Sequence, residues 1–474
     1  MKPFVALIAV ALVAGCASTP QPAPPISPPQ PVVAETPPLP QPSAQAPAQL
    51  QIPVEYHKLD NGLKVVFSPD HTAPTVVVAL YYGIGFRVEP RDRTGFAHLF
   101  EHLMFQGSQN LGKMEFIRLV QSNGGILNGS TRFDFTNYFE VVPAHTLQTV
   151  LWAEADRMRG LAITQENLKN QQEVVKNEVR VNVLNRPYGG FPWLDMPQYA
   201  NTNWYNAHNF YGDLSDLDAA TLEDARTFFE TYYAPNNAVL AIVGDFDPPS
   251  ALAWVREYFG PIAAQPQPPR ADISEPRQTE EKRASKTDEK ATRPALAFAY
   301  HAPPQDTPEY YAMGIIDQIL AAGNDSWLHQ ELVQARGLTG DVSSSMNLLG
   351  NMFDIHGPTL YMGWLFHDND KTADEILSAV DAQIAKLRTQ PVDEETLRRA
   401  RVKMRSALYD ELESFFGFGR ADLLASFALF HDDPQKINRI EEEFAKVTPE
   451  LIQRTAQEYL RPTNRTVLTI VPRS

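Results

Sequence analysis

Residues 94–108 read TGFAHLFEHLMFQGS. Two histidines, His98 and His102, stand four apart, and Glu101 immediately precedes the second. On an α-helix, residues i and i+4 lie one above the other, so both imidazoles can address a single ion. Phe96, Leu99, Phe100, Leu103 and Phe105 give the same helix an apolar face to bury. An amphipathic helix with incidental polar residues would share this pattern, so the motif alone leaves both readings open. Imidazole suits zinc, and a catalytic zinc takes three protein ligands and keeps one position for water. Glu101 lies where a carboxylate can take that water's proton and later pass it to a leaving amine.

Outward from this helix the chain reads as α+β. Val54–Leu59 and Leu63–Phe67 flank Asp60-Asn61-Gly62, and Asn-Gly is the dipeptide of a tight hairpin turn. A β-rich run occupies 75–82, long helices are expected over 144–161 and 165–184, and a strand over 238–243. Two segments, TYYAPNNAVLAIVGD (231–245) and EYLRPTNRTVLTIVPR (458–473), share aromatics, a proline, an asparagine and a β-branched strand. Each follows a helical stretch, 222–232 and 449–459, as in an internal duplication. Residues 265–293 are rich in Pro, Lys, Glu, Asp and Arg and read as a solvated linker. The expected organisation is two related modules, 54–264 and 294–474, each a mixed sheet with helices.

The first sixteen residues, MKPFVALIAVALVAGC, carry Lys2 and then an apolar run too short to span a bilayer. Leu12-Val13-Ala14-Gly15-Cys16 resembles a bacterial lipoprotein signal, cut before the cysteine, with the Cys16 thiol lipidated. This implies a periplasm-facing lipoprotein of the cell envelope, and Ala17 in place of aspartate favours the outer membrane. Cys16 is the only cysteine, so no disulfide framework is available. Residues 17–53 form a proline-rich spacer, with 13 prolines among residues 20–53, a composition that favours extended polyproline II. The remaining 420 or so residues exceed one core. The formal net charge of −16 disfavours nucleic acid as a partner.

His-x-x-Glu-His is the inverzincin signature, and more than these five residues match. The chain resembles the insulinase/pitrilysin family of zinc peptidases, in the branch built from two related halves. The resemblance rests on Asp60-Asn61-Gly62-Leu63, Gly95–His102 with Phe105 and Gly107-Ser108, Gly124-Gly125 before Asn128, Thr131, Thr136-Asn137-Tyr138 and the close of each half. It implies one zinc ion per chain, held by His98, His102 and a glutamate from a later helix. Glu178, 76 residues beyond His102, matches that position, whereas Glu173 does not. Where relatives often carry a supporting glutamate two turns earlier, this chain has Gln171. The resemblance also implies that GGILNGSTRFDFTNYFEVV (124–142) holds a cleft-lining edge strand to which a peptide substrate adds, with Asn128, Gly129, Ser130 and Thr131 against it. Gly129 stands where alanine is usual and is expected to loosen the strand. His208 falls in a family-like stretch and is expected to be structural, since a fourth protein ligand would close the site to water.

The second half of such enzymes supplies an arginine and a tyrosine that steady the developing oxyanion. Aligning DSWLHQELVQARGLTGDVSSS (325–345) on its leucines and Gly337-Leu338 puts Val333 and Gly340 in those places, with Arg336 one turn off. The expectation is therefore a zinc endopeptidase that needs a related partner chain, in a heterodimer, to supply the arginine and tyrosine. The alternative is a non-catalytic peptide-binding or assembly subunit that retains its zinc site.

Overall fold

The computed structural model describes residues 51–473. The leader, Cys16 and the spacer as far as residue 50 lie outside the described residues. The chain enters through the hairpin β1 (Glu55–Lys58) and β2 (Lys64–Pro69). Gly62 turns it at φ +88°, and a Cβ there would meet the Asn236 side chain at 2.7 Å. With β3 (Thr75–Tyr82), β4 (Ile126–Thr131), β5 (Thr136–Pro143) and β6 (Ala238–Gly244) these strands form a six-stranded sheet in the order β1-β2-β6-β3-β5-β4.

Strand β3, TVVVALYY, has no polar face because both its faces are covered. Val76, Val78, Leu80 and Tyr82 pack with Phe96, Leu99 and Phe100 of α1 (Phe96–Leu103). Val77, Ala79 and Tyr81 pack on the other face with the second half of the chain. Helices α2 (Leu147–Arg159) and α3 (Gln165–Val179) join α1 on its side, and α3 continues into a π-helical turn over Arg180–Leu184. Helix α4 (Leu222–Tyr232) then leads into β6.

The second sheet contains β7 (Lys282–Asp288), β8 (Ala295–His301), β9 (Ser343–Ser345), β10 (Leu360–Phe366) and β11 (Arg465–Pro472), in the order β7-β11-β8-β10-β9. This repeats the order β2-β6-β3-β5-β4, and the parallel pair β7/β11 corresponds to β2/β6. The duplication extends to single contacts. Asn237 donates to the Tyr232 carbonyl at 2.9 Å, and Asn464 donates to the Tyr459 carbonyl at the end of α6 (Pro449–Tyr459) at 2.7 Å. Strand β7 corrects the expectation of a linker over 265–293. Its sequence, KRASKTD, is polar because it is a sheet edge whose charges are paired: Arg283 with Asp374 at 2.7 Å and Lys286 with Asp195 at 2.9 Å.

The halves hold each other through α5 (Glu394–His431), a second-half helix that crosses the first sheet. Asp432 meets Tyr56 of β1, the Ala428 carbonyl accepts from Lys64 of β2 at 2.7 Å, and Asp422 accepts from Tyr81 of β3. The Phe418 ring stacks on Phe139 of β5 with centroids 3.8 Å apart. One turn earlier the helix breaks at Ser414–Gly417, where Phe415 (φ 46°), Phe416 (φ 58°) and Gly417 (φ 89°) are left-handed. That conformation costs a residue bearing a Cβ roughly 1–2 kcal/mol. Gly419 is what lets the chain fold back, since a Cβ there would fall 1.7 Å from the Glu411 carbonyl oxygen.

Beneath Tyr81, the buried carboxyls of Asp422 and Asp354 share Asn351, whose backbone N–H and side-chain amide donate to Asp354 (3.1 Å) and Asp422 (3.3 Å). Burial raises both above the ordinary carboxyl range, Asp422 pushes Asp354 up further, and Arg132 opposes this only at a distance. The folded state therefore keeps a proton that the unfolded chain releases, and stability falls as pH rises above the unfolded carboxyl range towards the raised folded pKa. Asp354→Asn keeps the shape and gives Asp422 an amide donor. Urea midpoints between pH 5 and 8 should fall less steeply for this variant than for the wild type, which loses up to about 1.4 kcal/mol per pH unit. Parallel slopes would show that the pair holds no extra proton.

Candidate active site

Helix α1 begins at Gly95, whose left-handed φ of 81° turns the chain into the helix. Its first amides are held by the fully buried Glu89, which accepts from Gly95 N at 2.9 Å and Ala97 N at 2.5 Å. A carboxylate at a helix N-terminus satisfies orphan N–H groups and complements the helix dipole. The four-residue spacing then stacks His98 and His102, with their ring planes at 90°. Helix α3 crosses α1 and delivers Glu178.

The three donor atoms form a nearly equilateral triangle. The two Nε2 atoms are 3.3 Å apart, and Glu178 Oε2 lies 3.6 Å from that of His98 and 3.3 Å from that of His102. Donors about 2.0–2.1 Å from a tetrahedral zinc stand roughly 3.3–3.4 Å from one another. Two imidazole nitrogens and a carboxylate, all lone-pair donors, converge on one point, so the residues present fit a zinc ion. Among the described residues this is the only group of three or more His, Cys, Asp or Glu placed to hold a metal.

The electrostatics favour the ligand forms. Burial and the neighbouring His102 push His98 down to about 4, so its ring is neutral at physiological pH. The hydrogen bond with His102, against the cost of burial, holds the Glu178 carboxyl below its ordinary range. Glu101 is half-buried, and this desolvation raises its carboxyl, with the Thr131 hydroxyl holding it back by donating at 2.8 Å. Tyr211 donates to the second oxygen of Glu178 at 3.2 Å. The Phe210 and Tyr211 rings pack on His98 at 5.0 and 5.2 Å.

The residues expected along the substrate strand divide by role. Strand β4 is the sheet edge, paired only to β5 among the described strands. Asn128 is exposed on it, the Ser130 hydroxyl is taken up by Asn137, and Thr131 turns inward to Glu101. Gly129 does not loosen the strand. It is buried, and a Cβ there would press on the Tyr138 ring at 3.1 Å and on Glu101 Cγ at 3.3 Å, so glycine lets the edge lie against Glu101. Gln171 is buried but makes no hydrogen bond to Glu178; Tyr211 supplies that support. Glu173 points away and pairs with Lys176 at 2.6 Å. His208 stacks on Trp204 and places its ring nitrogens 2.7 and 3.0 Å from the Phe86 and Trp204 carbonyls, outside the triangle. Sequence reasoning missed Glu89 and Tyr211 as positioning groups. Neither has a local spacing to the motif that would signal its role.

Residues 64–189 match the family described as insulinase (peptidase family M16), and residues 219–404 match the peptidase M16 inactive domain. The zinc protease PqqE of Helicobacter pylori is 26% identical over 422 residues, covering 87% of this chain and 92% of its own. An uncharacterized zinc protease of Mycobacterium leprae is 24% identical, over 68% of this chain and 72% of its own. The crystal structure of a protease from Helicobacter pylori superposes with a TM-score of 0.82 at 25% identity, covering 89% of this chain and all of that one. The first half of the periplasmic protease PqqL from Escherichia coli shares the fold, with a TM-score of 0.71 at 18% identity over 90% of this chain and 94% of its own.

Tyr211→Phe removes the hydroxyl that orients Glu178 and should weaken zinc binding about 10–100-fold in a chelator competition. His208→Gln should leave one zinc per chain. Equal affinities for Tyr211→Phe and wild type would remove Tyr211 from the metal's support.

Proposed function

We propose that this chain, which belongs to the insulinase (M16) family of peptidases, is a zinc-dependent endopeptidase acting on peptides or unfolded segments, its active site completed by a related partner chain. The observation that carries this reading is the donor triangle with edges of 3.3–3.6 Å, with Glu101 one residue from a ligand and tied to the open edge strand. Zinc bound there supplies a Lewis acid and lowers the pKa of water to near neutrality. The unpaired backbone of β4 holds an extended peptide by main-chain hydrogen bonds, which restricts substrates to chains able to adopt a strand. Glu101, fixed by Thr131, takes the proton of the attacking water and returns it to the amine nitrogen as the peptide bond breaks.

Two observations support the partner. Val333 and Gly340 carry no side-chain donor for an oxyanion, and Arg336 is drawn off to Glu375 at 3.3 Å. The second half also packs on the face of the first sheet opposite α1 and not on α1 itself. A partner that brings an arginine and a tyrosine over the zinc would supply the missing charge stabilisation, a contribution of several kcal/mol. The same absences favour, as a second reading, a peptide-binding subunit that keeps its metal without turning over.

Cleavage of a quenched fluorescent unstructured peptide separates the two readings. The chain with its arginine- and tyrosine-bearing relative should cleave at least about 100-fold faster than the same pair carrying Glu101→Gln, with zinc retained in both. The chain alone should bind zinc and cleave little. Full turnover by the isolated chain would remove the partner, and no turnover with any related chain would favour the binding subunit.

A further inference from the structure

The break in α5 lies in ESFFGFG (413–419), where two consecutive phenylalanines adopt left-handed backbone angles that bulky residues rarely occupy. Phe415 and Phe416 are also the most exposed large apolar side chains among the described residues, at 66% and 74%. Rings left in water gain no burial to offset a strained turn, and such outliers cluster where a ligand is held.

The position of the turn follows from the path of the helix. Read backwards from Asp432, α5 passes over β1, β2, β6, β3 and β5, and Phe418 stacks on Phe139 of β5. The next strand in the sheet is β4. Phe139 lies directly opposite Asn128 in the β4–β5 register, and Val141 lies opposite Ile126, which is itself 44% exposed. Strands are about 4.8 Å apart. The turn two residues beyond Phe418 continues this path towards the β4 edge, the side on which a strand would be added. Side chains alternate faces along a strand, so a peptide on β4 sends every second side chain towards α5 and the others towards the metal helix.

We propose that Phe415 and Phe416, with Ile126, form a specificity subsite that takes a large apolar side chain of the bound peptide. This rests on the reading of β4 as the substrate edge. Asn128 and Ile126 are one and three residues from Gly129, which touches Glu101, and a strand rises about 3.3 Å per residue. The residue selected therefore lies within about three positions of the bond cleaved. The left-handed turn sets the backbone from which the rings project before the peptide arrives, so only the rotation of the rings is left to be ordered on binding.

The test is direct binding, read by fluorescence anisotropy with the full chain loaded with zinc and carrying Glu101→Gln to block hydrolysis. The probes are labelled unstructured peptides that differ only by phenylalanine or serine at one scanned position. At one position phenylalanine should tighten binding roughly 10- to 100-fold over serine. F415S/F416S should abolish that preference while leaving the affinity of the serine peptide within twofold, and F415L/F416L should keep most of it. A preference that survives F415S/F416S overturns the subsite but leaves the edge-strand reading intact. Failure of every peptide to bind the unsubstituted chain overturns the edge-strand reading, and the subsite with it. If the serine pair instead dissolves a dimer seen by sedimentation and leaves peptide preference unchanged, the rings belong to a protein interface and the proposal fails.

Discussion

The first sheet is buried on both faces, and much of the remaining structure depends on that. Along β3 the even-numbered residues face α1 and the odd-numbered residues face the second half, so a slip of one residue would exchange the two environments. The double burial gives the metal helix a rigid floor and commits the second half to the reverse side. It also leaves β4 as the one edge open beside the metal helix, since β1 at the other edge lies under the C-terminal end of α5. An edge strand with Glu101 against one face and α5 packed on the neighbouring β5 at the other is suited to a guest strand.

The site itself has few parts, drawn from distant stretches of chain. Two of the three candidate donors come from one helix turn and the third from a helix 76 residues later, which accepts from a tyrosine of a loop further on. The Glu101 carboxylate is tied by Thr131 to β4, the strand that would carry a peptide in the proposed reading. In the proposed reaction, peptide position and proton transfer would be tied through one hydroxyl. Positioning of this kind contributes to rate as much as the identity of the groups does.

Much of this was legible in the sequence where the determinants are local. The Asn61-Gly62 turn, the uninterrupted apolar run of β3, the i, i+4 histidines and the paired helix–strand closes of the two halves each declare themselves within a few residues. The third ligand was legible only through family resemblance, since a glutamate in a charged helix has no local mark. Strand β7 was read as linker because its polarity, which suits a charged edge, mimics solvated coil. Glu89, Tyr211 and the inward turn of Thr131 depend on contacts between elements far apart in the chain, and so does the backbone of Phe415 and Phe416, since FFG carries no pattern that announces a break in a helix.

The measurement that bears most directly on the central claim is X-ray absorption at the zinc edge of the full chain loaded with one equivalent of zinc. The expected spectrum has two imidazole nitrogens at about 2.0–2.1 Å, with one or two oxygens at about 2.0–2.2 Å from Glu178 and water. A shell of oxygens without imidazole would contradict the site. So would three imidazoles, which would bring in a histidine such as His208 that the structure holds elsewhere.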